Sequence, residues 1–576
     1  MNKFCARHTV IIIAVGWLAG CATAPAPVAA PEPPPPAAKT SDDLPKLALE
    51  PDVLFDVLTG EMALQRGEVG VAAELLGRAA MTTRDPRLVE RATLAAYHAR
   101  QFDAALESAE VWVALRPQDL EAREAYATIL LELGRAADAQ AQLEKVIDLE
   151  TARNQGDQGF LRAATVLGRH SNRAAAAEVM QALVQGFPDS AAAHLYAAHL
   201  AVRGGDLDAA AQLAEQALKL QPDWDEAAIF RVRILISQKD IPGAHNFYEG
   251  FLRRFESVAA VRLNYARFLI DQKQWEKALV QFKRLLVDTP TDADATYAAA
   301  LLALQTNRPN EAEQYLKRTL ELRPENDQAR LYLGQVAEQE KRYAEAIRWY
   351  REIDAGENYF EAQTRIAMVL ARQGDVDGAR RQLQSIQPGD DEQRVQRALA
   401  EEQILRDARR HQEAMQVLNE AMEAVPGDNQ LLYARALVAE RLNLLDVAEA
   451  DLRAILKVDP KNANALNALG YTLADRTNRH QEALELLKQA IALKPDDPFI
   501  LDSFGWVHYR LGNHAESIKH LRRALELRND AEIAAHLGEV LWISGQRSEA
   551  ETVWNGALRT APDNETLRNV INKFKQ

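Results

Sequence analysis

Cysteine is nearly absent: the 576 residues contain two, Cys5 and Cys21. Neither a disulfide framework nor a thiolate zinc site can therefore exist in the body of the chain. Aromatic residues make up only 6%, beside a text rich in alanine and leucine. Strands favour β-branched and aromatic side chains, so this composition excludes an all-β fold and points to helices packed through small residues. Positive charge is outnumbered, with 68 Lys and Arg against 83 Asp and Glu and a net charge of −15. No long basic run stands out from that background, and without clustered Lys and Arg to neutralise phosphates nucleic acid is not an expected partner. Catalytic signatures are missing as well. Neither G-x-S-x-G nor S-x-x-K offers a serine nucleophile, H-E-x-x-H is absent, and no G-x-x-x-x-G-K-[ST] cradle for phosphates occurs. The expectation is a non-enzyme without metal or cofactor. At 47% hydrophobic and 26% charged residues, the chain nonetheless has the composition of a folded, soluble protein.

The first residues carry an address. Lys3 and Arg7 precede the short apolar run Thr9 to Leu18, the layout of a secretory signal and too short to span a bilayer comfortably. Leu18-Ala19-Gly20-Cys21 resembles the bacterial lipobox, which implies cleavage after residue 20 and lipid attachment at Cys21. A multiply acylated cysteine holds firmly to a membrane without crossing it. Ala22 stands where an Asp commonly retains such lipoproteins in the inner membrane, so the resemblance implies the outer membrane, facing the periplasm. From Pro25 to Pro36 there are seven prolines in twelve residues. Proline fixes φ and removes donors, which makes 21–50 a lipidated cysteine followed by an extended linker.

Beyond the linker the chain is periodic. Pro188, Pro222, Pro290, Pro324, Pro426 and Pro460 differ by multiples of 34, and Glu256, Asn358 and Glu392 hold the same phase. Between these stops the text reads as two amphipathic helices. Leu466, Leu469, Gly470, Ala483, Leu487, Ala490 and Pro495 show the pattern, and Leu501, Phe504, Gly505, Gly512, Leu521 and Ala524 repeat it. Small residues suit the places where two helices cross closest, and proline ends the second helix. Ala278, Ala312, Ala346, Ala414, Ala448 and Ala483 share one such place.

This pattern resembles the tetratricopeptide repeat (TPR), a 34-residue helix-turn-helix with small residues at its eighth and twentieth places and proline at its thirty-second. The resemblance implies an all-α, right-handed superhelical solenoid of about fifteen units over 51–564, closed by a capping helix over 565–576 with Leu567, Val570, Ile571 and Phe574 on one face. Unit starts fall at Val53, Pro86, Leu120, Asp157, Ala191, Asp225, Ala259, Ala293, Asp327, Glu361, Val395, Asn429, Ala463, Pro498 and Ala531, with an inserted loop around Asn154 to Gly156. The consensus weakens at Glu361 and Val395, where a bend near Gly356 or Gly389 is the alternative to one continuous array.

In that family the second, fifth, ninth, twelfth and thirteenth places of each unit project from a concave wall of first helices. Here they carry Asn464, Asn467 and Tyr471, then Asp502, Trp506, Tyr509 and Arg510, then Glu539 and Trp542. Asn can pair with the main chain of an extended peptide, and Trp and Tyr supply contact area at low entropic cost. These are the candidate partner-binding residues; the alternative for Trp506 and Trp542 is packing between neighbouring first helices. The matching N-terminal places, Glu90, Arg91, Tyr97 and Glu124, are less distinctive. His508, His514 and His520 read as rim residues rather than metal ligands, and Glu401 with Glu402 as a solvated face. The implied function is a scaffold or adaptor lipoprotein for periplasmic proteins, similar to those that hold a carboxyl-terminal processing protease with its cell-wall hydrolase substrates. The rival is a component of envelope assembly or export, in type IV pilus formation or exopolysaccharide secretion, binding polysaccharide or assembly proteins.

Overall fold

The computed structural model describes residues 50–575; Cys21 and the proline-rich stretch lie outside the described residues. All regular elements among those residues are α-helices, thirty-one from Pro51–Gln65 to Glu565–Lys575. None is long and apolar enough to cross a membrane. The described residues divide into two compact units, one ending at Thr306 and the other starting at Asn307.

In the first unit, first helices begin at Pro86, Leu120, Ala191, Asp225, Ala259 and Ala293, in step with the 34-residue period. Side-chain caps set several of these starts. Asp119 accepts from the amides of Glu121 and Ala122, and Asp292 from that of Ala295, satisfying donors that the first turn leaves unpaired. The expected insertion near Asn154 is not a loop. The extra residues lengthen the second helix Ala136–Ala152 to 17 residues, where 14 is usual in its neighbours, and the next helix starts at Gly156.

The second unit keeps the same register at Asp327, Asn429, Ala463, Pro498 and Ala531. The stretch of weak consensus has a structural cause. Second helices Tyr343–Arg351 and Val376–Ser385 last only nine and ten residues, and the buried Ile353 and Ile386 follow their shortened ends. The next first helices start early, at Tyr359 and at Asp391 rather than Glu361 and Val395. Gly356 and Gly389 both lie inside this unit.

Packing follows the small residues in both units. Ala278, Ala312, Ala346, Ala414, Ala448 and Ala483 are fully buried. At two eighth places the opposing side chain is aromatic: a Cβ on Gly334 would lie 2.2 Å from the Tyr350 ring, and one on Gly538 would lie 2.0 Å from Trp554 Nε1. Only glycine admits those rings. The last helix, Glu565–Lys575, buries Leu567 and sets Phe574 against Trp542 and Trp554 at 6.2 Å, covering the apolar end of the stack.

Candidate functional site

The candidate residues stand on three successive first helices, Ala463–Arg476, Pro498–Arg510 and Ala531–Ile543. Their shared register brings most of them into one ladder. The Trp506 indole donates from Nε1 to Asp475 Oδ1 at 3.1 Å and stacks on His536 at 4.3 Å. His536 donates from Nδ1 to Asp502, 2.9 and 3.0 Å from its two oxygens. Tyr509 donates to Glu539 Oε1 at 3.3 Å, and Lys573 of the last helix donates to the same oxygen at 2.9 Å. Arg510 donates to the Asp475 carbonyl at 2.9 Å. Trp506, Asp502 and Glu539 are buried by these contacts. Tyr471 is half-buried, 6.2 Å from His536, and Trp542 lies over Trp554 at 5.6 Å. The two asparagines stand apart: Asn464 is exposed and accepts from Lys494 at 3.1 Å, while Asn467 Oδ1 is buried with no hydrogen-bond partner.

The electrostatics follow from burial and charge. Burial alone would lower the His536 pKa, but Asp502, aided by Asp475 and Glu539, raises it above the usual histidine value. Burial, reinforced by Glu539, pushes the Tyr509 phenol up to about 12. Sequence reasoning missed His536, Asp475 and Lys573. A signal was present, since His536 follows Asp502 by 34 residues, one repeat, and so stands beside it on the next first helix.

Two expectations need correction. Glu401 and Glu402 are not solvated but buried. Glu401 accepts from Arg380 at 2.9 Å and Gln384 at 3.1 Å. Glu402 holds the eighth, small-residue place of its unit, and burial pushes its carboxyl up to about 7 despite Arg406 at 3.2 Å. His508 and His520 are likewise not simple rim residues. Both rings sit edge-on against Phe504, at 4.7 and 4.9 Å, and burial lowers both pKa values. Among the described residues no group of three or more His, Cys, Asp or Glu is placed to hold a metal ion.

Beside the ladder lies a partly open cavity of about 540 Å³. Arg406, Arg409, Leu437 and Arg441 line one side, and the turn Thr560–Thr566 lines the other. Asp407, Glu440 and Glu532 lie among the arginines, so the lining is charged and mixed in sign, which does not suit a small apolar ligand.

Profiles described as tetratricopeptide repeat match residues 161–225, 297–360, 433–498 and 503–565, and a second such profile matches 235–304. A TPR repeat-containing protein of Pseudomonas aeruginosa is 33% identical over 490 residues, 85% of this chain and 82% of that protein. The chain belongs to the tetratricopeptide repeat family. Solved TPR structures resemble it more loosely. A TPR protein of Thermus thermophilus is 24% identical, over 30% of this chain and 95% of that one, with a TM-score of 0.29. The Cut9–Hcn1 hetero-tetramer of APC/C matches 91% of this chain and 96% of its own at 13% identity and a TM-score of 0.31. Tetratricopeptide repeat proteins are generally non-catalytic scaffolds that bind protein partners, so the ladder is a candidate contact surface of that kind.

Proposed function

We propose that this TPR protein is a non-catalytic adaptor, lipid-anchored at Cys21 to the outer membrane, that holds periplasmic protein partners on the inner wall of its helix pairs. A carboxyl-terminal processing protease and its cell-wall hydrolase substrates are the partners of this reading. The observation that supports it most is the ladder from Asp475 to Glu539, in which polar and aromatic side chains of three consecutive first helices are fixed by one another. Preorganised side chains lose little entropy on binding, which suits recognition of polypeptide. Trp506 itself is buried and stacked on His536, the packing between neighbouring first helices that is its alternative reading, and offers a free face neither to a sugar nor to a peptide; Tyr471, Tyr509 and Arg510, which are partly exposed, are the part of the ladder that a partner would meet.

Cross-linking in intact envelopes, followed by detergent extraction and mass spectrometry of what co-purifies, tests the adaptor role. Specific protein companions support it; glycan as the sole companion sinks it. Cys21→Ser should release the folded protein from the membrane pellet, and retention there would refute the anchor.

A further inference from the structure

The two ends of the array are finished differently. At the C-terminal end the helix Glu565–Lys575 lies over the last pair, with Leu567 buried. At the other end the first described helix, Pro51–Gln65, exposes Phe55 (63%), Leu58 (56%) and Met62 (51%). The repeat register identifies this face. A Cβ on Gly60 would meet Leu76 at 2.8 Å, as one on Gly505 would meet Leu521 at 2.7 Å. Phe55, Leu58 and Met62 are therefore the counterparts of Ile500, Ser503 and Val507, all of them buried. Those places receive the preceding second helix: Ile500 clusters with Ala490, and Val507 with Leu484 and Leu487. Ile533, His536 and Val540 stand at the same places one unit later and are buried likewise. Pro51–Gln65 thus carries an apolar face shaped to receive a helix, and among the described residues no helix precedes it. The sequence just upstream is a poor source of one. Between Cys21 and Pro51 no stretch longer than eight residues is free of proline, whereas the second helices His480–Leu493 and His514–Leu527 run to 14 residues.

We propose that a second copy of this chain covers the face, the two Pro51–Gln65 helices packing against each other about a two-fold axis near Leu58. Pro51, Phe55, Leu58, Met62 and Gln65 follow one another at intervals of 4, 3, 4 and 3 residues. That is the seam spacing of a two-helix contact, and no charge stands on it. An isologous pair presents the same patch on both sides, and a perpendicular two-fold makes the helices antiparallel, so that opposite dipole ends meet. A lipid surface fits less well, because Asp52, Asp56 and Glu61 border the stripe and acids repel anionic headgroups. One helix per copy buries less than the ~800 Å² per partner of a standard interface, so the pair is weak and exchanges readily. It joins two arrays at their N-terminal ends, a property beyond the adaptor reading and independent of it.

Sedimentation velocity of the full mature chain, 21–576 with Cys21→Ser to keep it free of lipid, tests this. It should pass from monomer to dimer with a Kd on the order of 10 μM, as suits so small a seam. Leu58→Glu and Leu58→Lys, at a position already exposed in the single chain, should each leave the melting temperature unchanged. Each should weaken self-association by about tenfold or more, because like charges then meet across the axis. Mixed in equal amounts, the two variants should associate again, since opposite charges now face each other. A chain that stays monomeric to about 100 μM, association that survives Leu58→Glu, or no recovery on mixing would overturn the pair. So would binding to vesicles of phosphatidylethanolamine and phosphatidylglycerol that Leu58→Glu abolishes, which gives the face to a membrane instead. Protein companions from cross-linked envelopes bear on the adaptor reading alone, so either can fail while the other stands.

Discussion

The two compact units share a packing scheme and differ in how the projecting residues of their first helices are tied together. In the first, the projecting places carry Leu94, Leu161 and Ile236, each about two-fifths exposed, among charged residues such as Glu90 and Glu124, the latter paired with Arg162 at 2.7 Å. In the second, the same places from Asn429 to Ile543 carry Glu440, Asp475, Trp506, Arg510 and Glu539, joined by hydrogen bonds and ion pairs. The residues between paired helices hardly vary: Ala210, Ala244 and Ala278 in one unit and Ala414, Ala448 and Ala483 in the other are all fully buried. Packing therefore constrains one face of each first helix and leaves the opposite face free to specialise. The first unit sets exposed apolar side chains among charged ones paired two by two, whereas the second ties its polar groups into one network across three helices, and fixed polar groups select by charge and geometry.

The comparison breaks first at its most heavily packed point. Trp554→Ala empties the space against Gly538 and should cost about 3–5 kcal/mol. Hydrogen exchange should then show lost amide protection over 514–575 with none lost over 50–306, because repeats depend on their neighbours; uniform loss would mean the units do not behave separately.

Asp502→Ala, which leaves His536 buried without its carboxylate, should cost about 3 kcal/mol by thermal melting. This contribution is pH-dependent. The folded pKa of His536 lies above the unfolded value of about 6.5, so its stabilisation is fully present below that value and lost as pH rises through the folded one. The Tm gap between the natural chain and His536→Gln should accordingly be wider at pH 5.5 than at pH 9; a constant gap contradicts the pair.

Overpacking sharpens the shared half of the comparison. Ala278→Leu and Ala483→Leu should each cost about 1–3 kcal/mol, and similar values in the two units would show one packing rule across them. Glu402→Gln acts through the buried carboxyl pushed up to about 7. A carboxyl with a raised pKa destabilises the fold above that value and ceases to do so as pH falls through the unfolded value of about 4.3. The variant should therefore raise Tm at pH 8.5 and lose that advantage near pH 4. The smallest effect belongs to Arg409→Ala, which removes an exposed pair with Glu565 and should shift stability by less than about 1 kcal/mol.

Much of this architecture was legible because repeat packing is a constraint on residue size, and size is visible in a one-letter text. Ala278 or Gly470 announces a close crossing wherever it recurs at the right phase. The helix ends were less legible between Tyr343 and Asp407, where Ile353 and Ile386 take over a place that the consensus gives to a further turn. At the candidate site, the period predicted which side chains share the wall but not how they pair. Nothing in the text singles out His536, and Glu401 and Glu402 read as a wet face, because burial of a charge depends on the neighbour it meets. Arg380 lies 21 residues from Glu401, and Asp502 lies 34 from His536.

The fit of Trp554 to Gly538 and of Tyr350 to Gly334 also restricts how such a chain can be cut and rejoined. Each glycine and its ring lie on opposite sides of the same interhelical turn, so a crossover placed in that turn could set a Trp against another unit's Ala or Met. Crossovers between complete helix pairs keep each ring with its glycine, and the viable splice sites for gene recombination or designed chimaeras therefore recur once per repeat rather than once per helix.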